Sequence, residues 1–430
     1  MDTSPRLPYK VRHTTVRATA PAIVEGGEPM AAELPVVPFR RPRGIDPSPE
    51  LFELHDRGRV IEVGVGEDGL TGYLVTGYDD VRTLLVDSRL RAPGSVGERA
   101  IPYGVPPVFT QAGLLSMDGP EHARLRRIIG PTFTAKRVER LRPRVQAVVD
   151  RLLDGVVAAG KPADLHTLLA LPLPMEVSCE LLGVPMDDRG KFVEWSGDLL
   201  MSPDGDPAKP AAAWQNIASY LGEMLGRRKA EPADDFLTDL AGKLDGEDGL
   251  TLHEATMLAA GTLVAGYETT TVEIEYSVVV LLRHPEQYKA LREDPGLAAG
   301  AAEEVFRLYP PGVGTSGHQR WAATDIQLGD VTIPKDSFVL LCFASAALDP
   351  ERFGPDPERF DITRRSNPHM VFGFGPHHCV GATLARLELE TLLATLPRRF
   401  PDLALAVPEE RLRIRSHVMT GGYLELPVTW

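Results

Sequence analysis

Cysteine is scarce. Cys179, Cys342 and Cys379 are the only three in 430 residues. They are too few and too scattered for a secreted disulfide framework, so a reducing cytoplasm is expected and any functional cysteine would work as a thiolate. Positive charge is in deficit as well. Lys and Arg number 46 against 60 Asp and Glu, a net charge of −14, which disfavours nucleic acid as a bulk partner because phosphate binding needs a basic surface. Long apolar runs are missing too. The longest, Phe338 to Leu348, is far short of the roughly 20 residues that span a bilayer, and no apolar signal core lies near the N-terminus. Neither export nor membrane anchoring is expected. What is present, 43% apolar and 25% charged residues, is ordinary globular composition and argues against wholesale disorder.

Residues 1–33 hold Pro, Thr, Arg and Gly without periodicity and read as a loose or peripheral extension. No repeat or flexible linker divides the remainder, so 34–430 reads as one domain. Val60 to Val63 and Tyr73 to Thr76 flank a turn-rich stretch and predict a hairpin. Gly64-Val65-Gly66-Glu67-Asp68-Gly69 spells the dinucleotide fingerprint, but a strand follows where the fingerprint needs a helix, so it is a turn. His253-Glu254 begins a zincin spelling, but position 257 is Met, and the second metal ligand is missing. The middle of the chain is helical: one helix starts at Asp118-Gly119-Pro120, another spans Arg137 to Ala158, and a third Pro174 to Leu182. A longer one from near Leu252 to Arg283, apolar on most sides and about 45 Å long, must cross the molecular centre. After Pro310 come short strands, a Pro-rich loop from Asp349 to Pro368, and a last helix just beyond Cys379.

The most specific segment is Phe372-Gly373-Phe374-Gly375-Pro376-His377-His378-Cys379-Val380-Gly381-Ala382. Its glycines let backbone approach a flat ligand and aim N–H groups at the sulfur. The positive end of the following helix also favours a thiolate, a soft ligand for iron. An isolated cysteine of this kind is more often structural, and a zinc site from three adjacent residues rarely closes a tetrahedron. The loop's length and order, however, resemble the haem-binding loop of the cytochrome P-450 family, whose Phe-x-x-Gly-x-x-x-Cys-x-Gly pattern is met at 372, 375, 379 and 381.

Three further segments carry the same resemblance. Ala265-Gly266-Tyr267-Glu268-Thr269-Thr270 puts Gly and Thr in mid-helix, where propensity disfavours both; Thr269 can bond back to the Ala265 carbonyl and open a pocket there. It is similar to the family's oxygen-activation motif. Glu304 and Arg307, at i and i+3, together with Arg359 resemble its structural Glu-Arg-Arg triad. His122 and Arg126, at i and i+4 on one helical face, suit a carboxylate and resemble its propionate clamp, with Arg320 and His377 matching further propionate ligands.

The resemblance implies a mainly α fold with a smaller β region, a triangular prism with haem b between the long helix and the cysteine loop. It makes Cys379 the axial metal ligand. Ala265, Phe372, Gly373 and Gly381 would join His122, Arg126, Arg320 and His377 around the cofactor. Thr269 would bond the bound dioxygen and Glu268 would relay protons. Glu273 and Glu275 add acids to a helix expected to be buried, as structural acids at an interface or polar contacts to substrate. The implied activity is monooxygenation, hydroxylating or epoxidising a small or medium organic molecule, with oxidative coupling at the same haem and a non-catalytic haem sensor or scaffold as alternatives. Electrons must come from another protein, since the chain has no flavin or nicotinamide fold. From His122 to Arg144 there are eight Lys or Arg and one acid, Glu139. Arg124, Arg127, Lys136 and Arg137 thus form a candidate dock for an acidic ferredoxin. Substrate selection is expected from Arg91 to Ser116, Phe192 to Tyr220, Val264 and Tyr267, Gly312 to Thr315, and Val418 to Thr420.

Overall fold

Apolar residues recurring at three and four build a stack of helices, and the computed structural model describes it for residues 34–39, 45–66, 69–96, 114–200, 208–246, 249–312, 317–415 and 420–430. The expectations placed on 1–33, and the parts of the expected substrate segments at 97–113, 201–207, 313–315 and 418–419, lie outside the described residues. The helices used below are α1 (Gly119–Ile129), α2 (Arg142–Ala159), α3 (Pro172–Leu182), α4 (Ala208–Ala230), α5 (Leu252–Arg283), α6 (Ala298–Leu308) and α7 (Ala382–Arg399). The helix expected over Arg137 to Ala158 is two helices, Ala135–Glu139 and α2. Pro143 explains the break, because it has no N–H to continue a helix and a preset φ suited to starting one.

The centre of the fold is α5, 32 residues that pack against α3, α4, α6 and α7. Its start is fixed by a capping box: the Thr251 hydroxyl accepts from the Glu254 amide at 3.1 Å while Glu254 accepts from the Thr251 amide at 2.7 Å. That pairing occupies two otherwise orphan donors and accounts for Glu254, the acid of the abandoned zincin spelling. From Thr270 to Leu281 every residue of α5 is buried, so the helix has no solvent face there.

Beside the helices lies a six-stranded sheet of β1 (Val36–Val37), β2 (Val60–Val65), β3 (Leu70–Val75), β4 (Leu90–Arg91), β5 (Gly317–Ala322) and β6 (Phe338–Cys342), in the order β1-β2-β3-β6-β5-β4. β2 and β3 pair antiparallel, Val60 with Val75 and Gly64 with Thr71, so the dinucleotide spelling begins inside a strand of a hairpin. β5 runs antiparallel to the fully buried β6, with His318 opposite Leu341 and Arg320 opposite Val339. Successive residues of a strand alternate faces, so His318 and Arg320 share one.

α6 ties helices to the Pro-rich loop through a buried charge cluster. Arg307 donates to Glu304 at 2.9 and 2.7 Å, both side chains being fully buried, and to the carbonyls of Ala347 at 2.8 Å and Pro357 at 2.5 Å. The third member of this cluster differs from the expectation. Arg364, not Arg359, reaches Glu304, at 3.1 Å, while Arg359 contributes its backbone carbonyl to Arg307 and Arg364. The two arginines are five positions apart in the loop, and the turn beginning at Asp361, whose amide also donates to Glu304, carries the later one inward. Breaking a buried ion pair costs more than an exposed one, several kcal/mol against less than about 1. Arg364→Ala is therefore expected to lower the unfolding free energy by about 2 kcal/mol, and Arg359→Ala by no more than about 0.5 kcal/mol, measured by urea denaturation. Equal losses, or a larger one at Arg359, would contradict the assignment.

Candidate active site

Two left-handed residues shape the loop before α7: Gly373 has φ +71° and Gly375 φ +72°, conformations that side chains strain to adopt. The Gly373 amide bonds Met370 at 2.7 Å, and the Cys379 amide bonds the Phe372 carbonyl at the same distance, closing the loop on itself. Phe372 stands edge-on to Phe306 of α6, ring centres 4.9 Å apart, and the Arg386 guanidinium lies 4.4 Å over its face. Gly381 has an ordinary φ of −82°; its contribution is an amide bonded to the Cys379 sulfur, joined by that of Ala382.

Cys379 is exposed, unlike Cys179 and Cys342. Protein nevertheless surrounds it, and burial pushes its thiol pKa up, against the opposing pull of the Gly381 amide, the charges of Arg126 and Arg386, and the Ala382 amide. Left to the protein alone, the sulfur stays protonated more readily than a free cysteine. A bound metal ion would reverse that preference, because a coordinating thiol is deprotonated outright.

Beside this loop the structure brings together the four residues matched to propionate ligands. The His122 and His377 rings stack with centres 4.2 Å apart, and His377 Nε2 meets Asp118 Oδ1 at 2.8 Å. Burial, then the charges of His377 and Arg126, push the His122 pKa down to about 4. Arg126 donates to the His378 carbonyl at 2.6 Å, gripping the residue before the cysteine. Arg320 is 9% exposed; its Nη1 donates to its neighbour's carbonyl, Gln319 O, at 2.9 Å, and no carboxylate lies within ion-pair distance of it among the described residues. Burial lowers its pKa to about 10, with Asp118 opposing. Burial also works against the charge of Asp118, yet hydrogen bonds from His377, the Ala92 amide and Ser95 hold it well below the usual carboxylate range. Asp118 is thus already engaged by His377 at 2.8 Å and Arg91 at 3.5 Å while it also offsets the charge of Arg320. Such a corner fits a ligand bearing carboxylates of its own, as haem b does.

The central helix opens at one place. Ala265 and Thr269, one turn apart, are exposed on α5 while Val264, Tyr267, Glu268 and Thr270 are buried. Thr269 Oγ1 donates to the Ala265 carbonyl at 2.7 Å, the back-bond that the sequence suggested. Val264 and Tyr267, near which substrate contacts were expected, are 2% exposed each, and the open face is formed by Ala265 and Thr269. Glu268 is turned into an ion pair with Arg415, Oε1 to Nη1 2.8 Å, and accepts from Thr420 Oγ1 at 2.9 Å. Burial raises its pKa and Arg415 opposes the rise. Glu275 accepts from the Tyr423 amide at 2.7 Å and from His166 Nδ1 at 2.5 Å, an interface role.

The basic run from His122 to Arg144 is compensated by acids from elsewhere. Arg124 pairs with Glu121 and Glu254, Arg137 with Asp239 at 2.6 Å, Arg142 with Glu139 and Glu390, and Arg144 with Glu180. Arg127 and Lys136 remain exposed. Sequence reasoning missed Asp118 as a site residue, although it was legible as the helix start, and missed His318, which alternates with Arg320 along β5. It also missed Arg415 and Arg386, whose distance along the chain from their partners leaves no local signal.

Glu303 of α6 braces the loop from behind. It accepts from Arg386 at 2.6 and 3.1 Å and meets His369 Nε2 at 3.1 Å. Burial raises its pKa, but the hydrogen bonds and charges of His369 and Arg386 bring it to about 2, below its usual 4.5. Between those values the unfolded chain binds a proton that the folded chain refuses. The stability from this group is therefore complete above pH 4.5 and lost as pH falls toward 2. Glu303→Gln should flatten the acid limb: urea midpoints at pH 6 and pH 3 should differ less in the variant than in the wild type, and an unchanged difference would count against the brace.

The cytochrome P450 family model matches residues 198–405. The chain is 40% identical to the mycinamicin IV hydroxylase/epoxidase of Micromonospora griseorubida over 93% of its length and 100% of that protein. It is 39% identical to the nocardicin C N-oxygenase of Nocardia uniformis subsp. tsuyamanensis over 91% of its length and 98% of that protein. The crystal structure of SgvP, a putative thioether synthase involved in the tailoring step of griseoviridin, superposes with a TM-score of 0.84 at 37% identity, covering 93% of this chain and 100% of that one. Among the described residues no helix is long and apolar enough to cross a membrane.

Proposed function

The chain belongs to the cytochrome P450 family, and from that premise we propose how its residues serve a haem b monooxygenase that oxidises a small or medium organic substrate in secondary-metabolite tailoring. The observation that carries the reading is the pairing of one exposed thiol, in a loop bent by Gly373 and Gly375, with a cationic corner short of carboxylates. Among the described residues no group of three or more His, Cys, Asp or Glu is placed to hold a metal ion. A metal at Cys379 must then bring its other ligands with it, which a porphyrin does. When bound, haem b supplies the iron chemistry that activates dioxygen, with thiolate ligation favouring O–O cleavage.

The chain's own residues bind, orient and move protons. Cys379 would hold the metal, with the Gly381 and Ala382 amides stabilising the charge on sulfur. Arg126, Arg320, His122 and His377 would hold the carboxylates, and Phe372, Gly373, Gly381 and Ala265 would join them around the cofactor. Thr269 has committed its proton to Ala265, so its oxygen offers an acceptor to the open side, and it must rotate away from Ala265 to donate. Glu268 can serve as proton relay only after leaving Arg415 and Thr420.

An acidic ferredoxin with its reductase supplies the electrons and docks near Arg124, Arg127, Lys136 and Arg137. Arg124 and Arg137 are already paired, and the exposed Lys136 and Arg127 are the positions at which charge reversal tests the steering. Exposed Phe374, capped by Arg82 at 4.7 Å, adds an apolar contact beside the cysteine loop.

One reconstitution tests both parts. With a surrogate ferredoxin and reductase, ¹⁸O-labelled dioxygen and a panel of natural products that includes mycinamicin IV, product mass should rise by one labelled oxygen atom. Loss of two hydrogens without oxygen would favour coupling, and absence of turnover with every donor and substrate would favour a sensor or scaffold. In the same assay Lys136→Glu and Arg127→Glu should slow reduction several-fold at low salt, with the gap closing at high salt; a salt-independent gap, or none, would remove these residues from the dock.

A further inference from the structure

His318 has no assigned role, yet it stands between the two halves of the cationic corner. It precedes Arg320 by two residues on β5, so both side chains leave the same face of the strand. Its Nδ1 lies 3.3 Å from Arg320 Nη2. Arginine has donors only, so Nδ1 is the acceptor, the ring is neutral and its proton sits on Nε2. Its other side abuts the cysteine loop: a Cβ placed on Gly373 would meet His318 Cε1 at 3.1 Å. Phe343 closes the ring in edge-on, with centres 4.8 Å apart. The Arg320 fork is therefore held at two points, Gln319 O at Nη1 and His318 at Nη2, and its charge is felt at His122 and offset by Asp118, which places it in the same corner as the other propionate-matched residues.

We propose that His318 is a positioning residue for the cofactor. It fixes the Arg320 guanidinium against the cysteine loop, so that the remaining N–H groups of the fork are preorganised for a haem carboxylate. This rests on the reading of Arg320 as a carboxylate ligand. Losing a partner that orients a ligand typically costs 10–100-fold in affinity.

The test is haem loss from the holoprotein to an excess of apo-haem acceptor, with thermal melts to establish folding. His318→Phe keeps the packing against Phe343 and removes the acceptor; His318→Leu is the second apolar variant should the larger ring not fold. Either should release haem about tenfold faster, while His318→Asn, whose Oδ1 can replace Nδ1, should stay near wild type. In an Arg320→Gln background, His318→Phe should add nothing, because the two act as one unit. Equal acceleration in both backgrounds, equal loss in the Asn and Phe variants, or haem release by His318→Phe within about twofold of wild type would overturn the assignment. If Arg320→Gln itself retains haem like wild type while His318→Phe does not, the reading of Arg320 fails separately.

Discussion

Arg320 is buried and Arg126 half-buried, and the carboxylate that opposes the shift at Arg320, Asp118, is already paired with Arg91 and accepts from His377, Ala92 and Ser95. Charge buried in this way is costly unless paired. The neighbouring imidazoles respond by staying neutral, as the lowered pKa values of His122 and His318 show. The corner is thus held together by the strands and helices around it, and it reaches charge balance only when carboxylates arrive from outside. Cys379 shows the same logic with the opposite sign: its surroundings favour the thiol until a metal ion supplies positive charge. Both halves of the site are built for a partner that brings anionic groups and a metal together, and this is what makes haem a better fit than a simple ion.

The far side of the cofactor site depends on how α5 handles polar groups in a dry interior. Buried Thr271 bonds to the carbonyl four residues back at 2.9 Å, which satisfies a hydroxyl that would otherwise be costly, and Thr269 makes the same bond at 2.7 Å on the open face. Glu268 and Glu275 turn to the C-terminal segment, where Gly421 and Gly422 adopt φ +78° and +89°. A Cβ on Gly422 would fall 2.5 Å from Arg415 Nη2 and 2.6 Å from Glu275 Oε2, so the glycine makes room for both charges. The acid next to Thr269 is therefore stored in a structural ion pair, and its use in catalysis carries the cost of opening that pair.

The parts of this site that were legible in the sequence are those whose geometry is local. The 32-residue helix, the back-bond at Thr269, the face shared by His122 and Arg126, and the loop around Cys379 all follow from spacing, because helical period and glycine conformation act over a few residues. The errors came where a long loop or a distant segment decides. Arg364 displaced Arg359 in the Glu304 cluster through the turn at Asp361; likewise, the burial of Val264 and Tyr267 beside exposed Ala265 and Thr269, and the pairing of Arg124 and Arg137 with Glu254 and Asp239, could not be read locally. The net charge of a run says little about its surface until those partners are known.

The central claim is that Cys379 binds haem iron as a thiolate. The direct measurement is the carbon monoxide difference spectrum of the dithionite-reduced holoprotein, wild type and Cys379→Ala. A Soret band at the red-shifted position typical of thiolate ligation, lost in the variant, is the predicted result. No haem band in the wild type, or one that Cys379→Ala leaves in place, would contradict it.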